Sequence, residues 1–197
     1  GTGKTAFGRW LATRLDVPLH AKRVSDIVSP YVGQTERNLA RVFRDAEADG
    51  AVLLLDEVDS FLQDRTRAQR SWEVTAVNEM LTQMEAYDGV FIASTNLMDG
   101  LDQAALRRFD LKVKFGYLRP AQAWDLFEVH CESLGLAAPD ASARAAVERL
   151  ATLTPGDFTA VARQHRFRPV GSISALIAAL EAECSIKKDS RKAVGFI

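Results

Sequence analysis

The sequence predicts an α/β fold, a parallel sheet covered by helices and followed by a smaller all-helical section. Three observations predict it. The chain opens on Gly1-Thr2-Gly3-Lys4-Thr5 at the mouth of an amphipathic stretch, a pattern in which backbone N–H groups and a helix dipole converge on an anion. The run Ala51-Val52-Leu53-Leu54-Leu55 is apolar at every position, as in a parallel strand buried on both faces, and it ends in Asp56-Glu57. From Tyr117 onward, strand-like stretches give way to four segments of helical period.

Gly3-Lys4-Thr5 is the end of the P-loop pattern G-x-x-x-x-G-K-[ST], whose first glycine lies ahead of Gly1. Lys4 would reach the β- and γ-phosphates of a nucleoside triphosphate, and the Thr5 hydroxyl would hold Mg²⁺. Phe7, Leu11 and Leu15 recur at every fourth position, with Trp10 alongside, and give the following helix its apolar face. Pro18 stops that helix. Val17 to Val24 reads as a short strand, in which His20 is an ordinary strand residue. Ser25 and Asp26 cap a short helix that Pro30 ends. Tyr31 lies in the loop marked by Gly33, and Thr35 caps a helix with Leu39, Val42, Phe43 and Ala46 on one face.

Two carboxylates at the end of a buried strand are costly to hold there without a task. Between Thr5 and Asp56 there is room for helix, strand, helix and strand. The acid pair can therefore return beside the phosphate loop, at the carboxyl edge where α/β sheets bind ligands. There Asp56 supports Mg²⁺ and Glu57 orients or deprotonates water. Phe61 to Arg70 is polar and basic and reads as an exposed loop. A helix from Ser71 puts Val77, Met80, Leu81, Met84 and Tyr87 on one face. Val90 to Ser94 is another buried strand, ending in Thr95-Asn96, and the Asn96 amide can hydrogen-bond the attacking water or the γ-phosphate.

Leu101 to Asp110 reads as a short helix ending in Arg107 and Arg108. Leu111, Val113 and Phe115 alternate with Lys112 and Lys114 as a further strand. A hinge over Gly116 to Pro120 leads into helices at about Pro120 to Leu134, Ala141 to Leu153, Asp157 to Phe167 and Ile173 to Ile186. His130 and Cys131 are core or boundary residues of the first. Lys187, Lys188, Arg191 and Lys192 read as a solvated basic end.

Composition narrows the function. A net charge of −1 argues against wholesale binding to nucleic acid or to an anionic membrane. Cys131 and Cys184 lie far apart, without C-x-x-C spacing, which suits reduced thiols in a cytoplasmic protein. No apolar run reaches the length of a membrane span.

In this order the segments resemble the AAA ATPases, a branch of the AAA+ superfamily, over nearly the whole chain. GTGKT resembles the end of Walker A, VLLLDEVDS Walker B, STN sensor 1, LDQAALRRFD the arginine-finger region, PYVGQTERN the first pore loop, and TPGDF the sensor 2 segment. The resemblance implies a P-loop NTPase fold: a five-stranded parallel sheet, here lacking its first and central strand, over residues 1–118, then a small helical lid over 119–197. It implies ATP contacts from Gly1, Thr2, Gly3, Lys4, Thr5, Ala6, Gly156 and Asp157, and Mg²⁺ held by Thr5 and Asp56. It implies catalytic roles for Glu57, Asn96, Arg107 and Arg108, and a polypeptide substrate gripped by Tyr31 and Val32. It also implies a homo-oligomeric ring, usually of six subunits, in which a neighbour's arginine reaches the γ-phosphate, a device worth roughly 10³–10⁵ in rate.

Two departures stand out. Arg107 and Arg108 are adjacent, as in the branch containing katanin and spastin, and Pro30 replaces the usual basic residue before the pore aromatic. The expected function is an ATP-hydrolysing motor that remodels or unfolds proteins, and the alternative is a nucleotide-gated assembly scaffold with little turnover. A nucleic-acid-dependent ATPase is disfavoured by the near-neutral charge. A chain that opens within Walker A is expected to bind ATP poorly and to stay monomeric.

Overall fold

Four consecutive aliphatic residues make Val52–Asp56 (β2) the middle strand of a parallel sheet, between Leu19–Arg23 (β1) and Phe91–Ala93 (β3). Val52 to Leu55 are each at most 1% exposed, so the unbroken apolar run reflects helices on both faces. The register pairs Arg23 with Asp56 and Leu55 with Ala93, which brings all three strand tips to one edge. The computed structural model describes residues 3–62, 71–97 and 101–192. The chain divides into two units, Lys4–Val113 and Lys114–Ile197 with Gly1–Gly3.

In the first unit the helices are Lys4–Leu15 (α1), Gln34–Ala48 (α2), Ser71–Ala86 (α3) and Gln103–Leu106 (α4), with 3-10 turns at Val24–Asp26 and Val58–Ser60. Leu39, Phe43 and Ala46 of α2 and Val77, Met80 and Leu81 of α3 form one core with β2. Tyr87 packs edge-on against Phe43, and its hydroxyl donates to the Ala51 carbonyl at 2.5 Å, satisfying the polar tip of a half-buried ring.

Several expectations are corrected here. Phe61 and Leu62 are buried in this core, so the polar stretch behind them does not begin at Phe61; residues 63–70 lie outside the described residues. Gly33, at φ +77°, and not Thr35, caps α2, because the Thr35 hydroxyl is used at the base of the preceding loop, where it accepts from the Ser29 N–H at 3.0 Å. Asp26 lies within a 3-10 turn and accepts from the Arg23 N–H at 3.3 Å, so it closes that turn from its far end.

Leu111 to Phe115 is not a strand. Alternation is necessary for a half-buried strand, but a strand also needs a ladder partner, and none is present among the described residues. Leu111 and Val113 are accordingly 83% and 66% exposed. Three strands form the sheet among the described residues, one fewer than the four that remain of the implied five once the first is absent, because Leu111 to Phe115 does not pair.

The buried face of α1 is also not the expected one. Leu15 is exposed and Phe7 and Leu11 are half-buried, whereas Gly8 and Ala12 are buried. The small residues let the helix axis approach the sheet: a Cβ on Gly8 would lie 3.2 Å from a Leu54 methyl. Leu54 is fully buried in the middle strand and has little room to move. Gly8→Val is therefore expected to lower stability by about 1–3 kcal/mol through overpacking. The accompanying gain in helix propensity is only a few tenths, about 0.4 kcal/mol. Denaturant unfolding checks this, and an unchanged midpoint would mean that the α1–β2 seam has slack.

The second unit contains Pro120–Ser133 (α5), Ala141–Glu148 (α6), Pro155–Gln164 (α7) and Ile173–Lys192 (α8). Phe127, Leu153, Phe158, Leu176 and Leu180 are fully buried at its centre, and both cysteines are buried in the same cluster as free thiols. Lys187, expected on a solvated basic end, instead pairs with Asp157 and donates to the Thr152 carbonyl at 2.9 Å. The reason lies in Asp157, whose carboxylate is buried at the start of α7, where it also accepts from the Thr154 N–H at 2.6 Å and hydroxyl at 2.9 Å. A carboxylate in that position needs a countercharge.

Lys187→Met is expected to cost this unit about 1–2 kcal/mol, less than for a fully buried pair because the lysine is partly solvated. Adding Asp157→Asn is expected to recover part of the loss, and thermal unfolding of the single and double variants measures both. No helix among the described residues is long and apolar enough to cross a membrane.

Candidate functional site

The sheet edge that carries the strand tips also carries the start of α1. Helix α1 begins at Lys4, so the N–H groups of its first turn, Thr5 and Ala6 included, have no partner within the helix and face the edge with the positive end of the dipole. The Thr5 hydroxyl donates to Asp56 Oδ2 at 2.9 Å. Lys4 Nζ donates to the Thr95 carbonyl at 2.9 Å and to Asn96 Oδ1. The sequence-predicted residues Lys4, Thr5, Asp56 and Asn96 thus meet, with Glu57 next to Asp56.

Asp56 is the hub. Its Oδ1 accepts from the Ser94 hydroxyl and from the Glu57 N–H, the latter at 3.1 Å. Burial pushes its carboxyl upward, but the hydrogen bonds from Ser94, Thr5 and the Glu57 N–H, together with the Lys4 ammonium, outweigh it. The group is held below the ordinary aspartate value. An ionised carboxylate beside a hydroxyl is a hard-oxygen donor set, which suits a cation such as Mg²⁺.

Glu57 is exposed and sits in the left-handed region at φ 61°, ψ 46°, where the chain turns from β2 into the second 3-10 turn. Asp16 shares a positive φ, but it follows the last turn of α1, a common place for one. Glu57 is the N-cap of that 3-10 turn but its side chain makes no capping bond there, so the strain is not offset by a cap and falls on a functional candidate.

Two groups here were missed in the sequence. Ser94 follows Ala93, the register partner of Leu55, which sets its hydroxyl against Asp56. Asp59 accepts from the Thr95 hydroxyl and from the Asn96 N–H at 3.3 Å. The available signal was the juxtaposition of two polar strand tips, DEVDS and STN, once a parallel register is assumed.

Gly1 and Thr2 lie outside the described residues. Arg108 pairs with Glu85 and donates to the Ala104 carbonyl at 3.1 Å, whereas Arg107 is exposed and has no side-chain partner among the described residues. Tyr31 and Val32 are 76% and 88% exposed on a loop whose base is held by the Ser29–Thr35 bond. Gly156 and Asp157 open α7 in the helical unit, where the Asp157 carboxylate is taken up by Thr154 and Lys187.

Residues 1–117 match the family model described as ATPase family associated with various cellular activities (AAA). The chain belongs to the AAA ATPase family. Vacuolar protein sorting-associated protein 4 of Dictyostelium discoideum is 31% identical over 162 residues, 79% of this chain and 36% of that protein. The cell division cycle protein 48 homolog of Archaeoglobus fulgidus is 29% identical over 163 residues, 79% of this chain and 22% of its own. The ATP-dependent zinc metalloprotease FtsH of Lachnoclostridium phytofermentans is 35% identical over 126 residues, 59% of this chain and 22% of its own. The AAA chain thus spans 22% to 36% of the length of these curated relatives.

Proposed function

We propose that this AAA domain binds and hydrolyses ATP with Mg²⁺ and, within a homo-oligomeric ring of six in the cytoplasm, remodels or unfolds polypeptide substrates. The observation that carries the proposal is the meeting of Lys4 and Thr5 with Asp56 and Asn96 at one sheet edge. Lys4 holds the β- and γ-phosphates, and the Thr5 hydroxyl and Asp56 hold the metal. Bound Mg²⁺ would supply neutralisation of phosphate charge. Glu57 orients the attacking water and takes its proton, and Asn96 holds the γ-phosphate or that water.

Phosphoryl transfer depends on charge stabilisation more than on covalent chemistry, so a cation delivered by a neighbouring subunit has a large effect. Arg107 fits that role better than Arg108, because Arg108 is already tied to Glu85. The adjacent arginines also support placement near the katanin and spastin branch. The exposure of Tyr31 and Val32 supports a grip on substrate by bulk, which tolerates many sequences.

Substituting Tyr31→Ala in the whole protein tests the motor reading. The expected result is ATP turnover within about threefold of wild type together with loss of unfolding of a tagged fluorescent substrate, an uncoupling of binding energy from work at a distant site. Full unfolding activity in the variant would remove the pore-loop assignment.

A further inference from the structure

Asp59 has no part in the reading above, yet it organises the residues opposite Lys4. Its Oδ1 accepts from the Thr95 hydroxyl and from the Asn96 N–H at 3.3 Å. The Thr95 hydroxyl oxygen in turn accepts from the Leu97 N–H at 2.9 Å, which closes a tight turn after β3. From that turn the Thr95 carbonyl and Asn96 Oδ1 both receive Lys4 Nζ. A short side chain such as Asn96 can hold its amide toward one point only if its backbone is held first, and the bond from its own N–H to Asp59 does that.

We propose that Asp59 is a positioning residue for ATP hydrolysis: acting through Thr95 and Asn96, it holds the Asn96 amide in line with Lys4, and it touches neither nucleotide nor metal itself. The inference rests on the ATPase reading. It differs from a folding role because the 3-10 turn that bears Asp59 is held by other bonds. The Phe61 and Leu62 N–H groups both donate to the Val58 carbonyl at 3.0 Å, the Val58 N–H donates to the Ser94 carbonyl at 3.0 Å, and Phe61 and Leu62 are anchored in the core. Removing the Asp59 carboxylate leaves all of these in place.

The test uses Asp59→Ala and Asp59→Asn in the whole protein. Asp59→Ala is expected to lower kcat by about tenfold or more while affinity for a fluorescent ADP analogue stays within about twofold, the pattern of a group that acts on the reacting geometry and not on ground-state binding. Asp59→Asn keeps an acceptor oxygen and is expected to recover turnover to within about threefold of wild type. Equal impairment of the two variants, or loss of ADP affinity in step with kcat, overturns the assignment.

A second readout does not depend on turnover. In Asp59→Ala, exchange of the Asn96 backbone amide is expected to quicken by about threefold or more, while the Leu53 amide, which donates to the Val90 carbonyl at 2.9 Å within the sheet, is unchanged. Unchanged Asn96 exchange also overturns the proposal. If wild type does not turn over ATP, the ATPase reading falls, and this exchange measurement still decides whether Asp59 holds Asn96.

Discussion

Lys4→Ala is expected to remove nucleotide binding while leaving the domain folded. A charge-assisted hydrogen bond contributes about 1.5–3 kcal/mol, which corresponds to about a tenfold to 150-fold loss of affinity from one phosphate contact. The loss grows where the lysine touches two phosphates. The structural cost is small by comparison. Among the described residues Lys4 Nζ bonds to the Thr95 carbonyl and to Asn96 Oδ1, contacts that are partly open to solvent, and Asn96 is accessible to water once the ammonium is gone. Solvent-exposed charged pairs contribute about 0–1 kcal/mol, and this partly exposed contact falls near the upper end of that range. Calorimetric titration of the whole protein with ATP, beside its thermal unfolding, separates the two effects. A variant that loses stability and affinity together would mean that Lys4 serves the sheet edge and not the phosphate. Lys4→Arg is a useful companion, because it keeps the charge but replaces a compact ammonium with a planar fork that does not fit the same point.

How much of this was visible beforehand depends on the kind of signal. β2 was legible because an unbroken run of aliphatics needs no period to be read. The meeting of Thr5 with Asp56 was legible because the motif carries its own geometry, a helix start and a strand tip at the same sheet edge. Ser94 and Asp59 were not, because their roles arise from strand register, a contact between segments that lie 38 and 36 residues apart from their partners. The face of α1 was misread for a different reason. The residues that approach the sheet, Gly8 and Ala12, are the smallest, so hydrophobic bulk pointed to the wrong side. Leu111 to Phe115 has the alternation of a strand, but pairing is a property of two segments and cannot be read from one. Lys187 looked like a solvated end until the buried Asp157 carboxylate gave it a partner.

Glu57→Gln is expected to keep ATP binding and lower turnover by about 10²–10⁴, the contribution of a positioned general base. The two side chains have the same shape, and Glu57 is exposed, so neither the fold nor the phosphate contacts of Lys4 depend on its charge. The backbone makes the case stronger. A non-glycine residue at φ 61° costs about 1–3 kcal/mol, and although Glu57 is the N-cap of the second 3-10 turn its side chain makes no capping bond to offset that cost. Glycine relieves that cost, so Glu57→Gly is expected to match or exceed wild type in thermal stability and still to lose turnover. That combination is what a residue kept for chemistry and not for the fold should give. Steady-state ATPase assays of wild type, Glu57→Gln and Glu57→Gly, together with nucleotide affinity, measure all three. Equal slow turnover in wild type and Glu57→Gln would point to a scaffold assembled by nucleotide. A fall in stability in Glu57→Gly would point to a structural reason for the left-handed turn, because in that case the carboxylate side chain itself would be holding the junction of β2 and the second 3-10 turn.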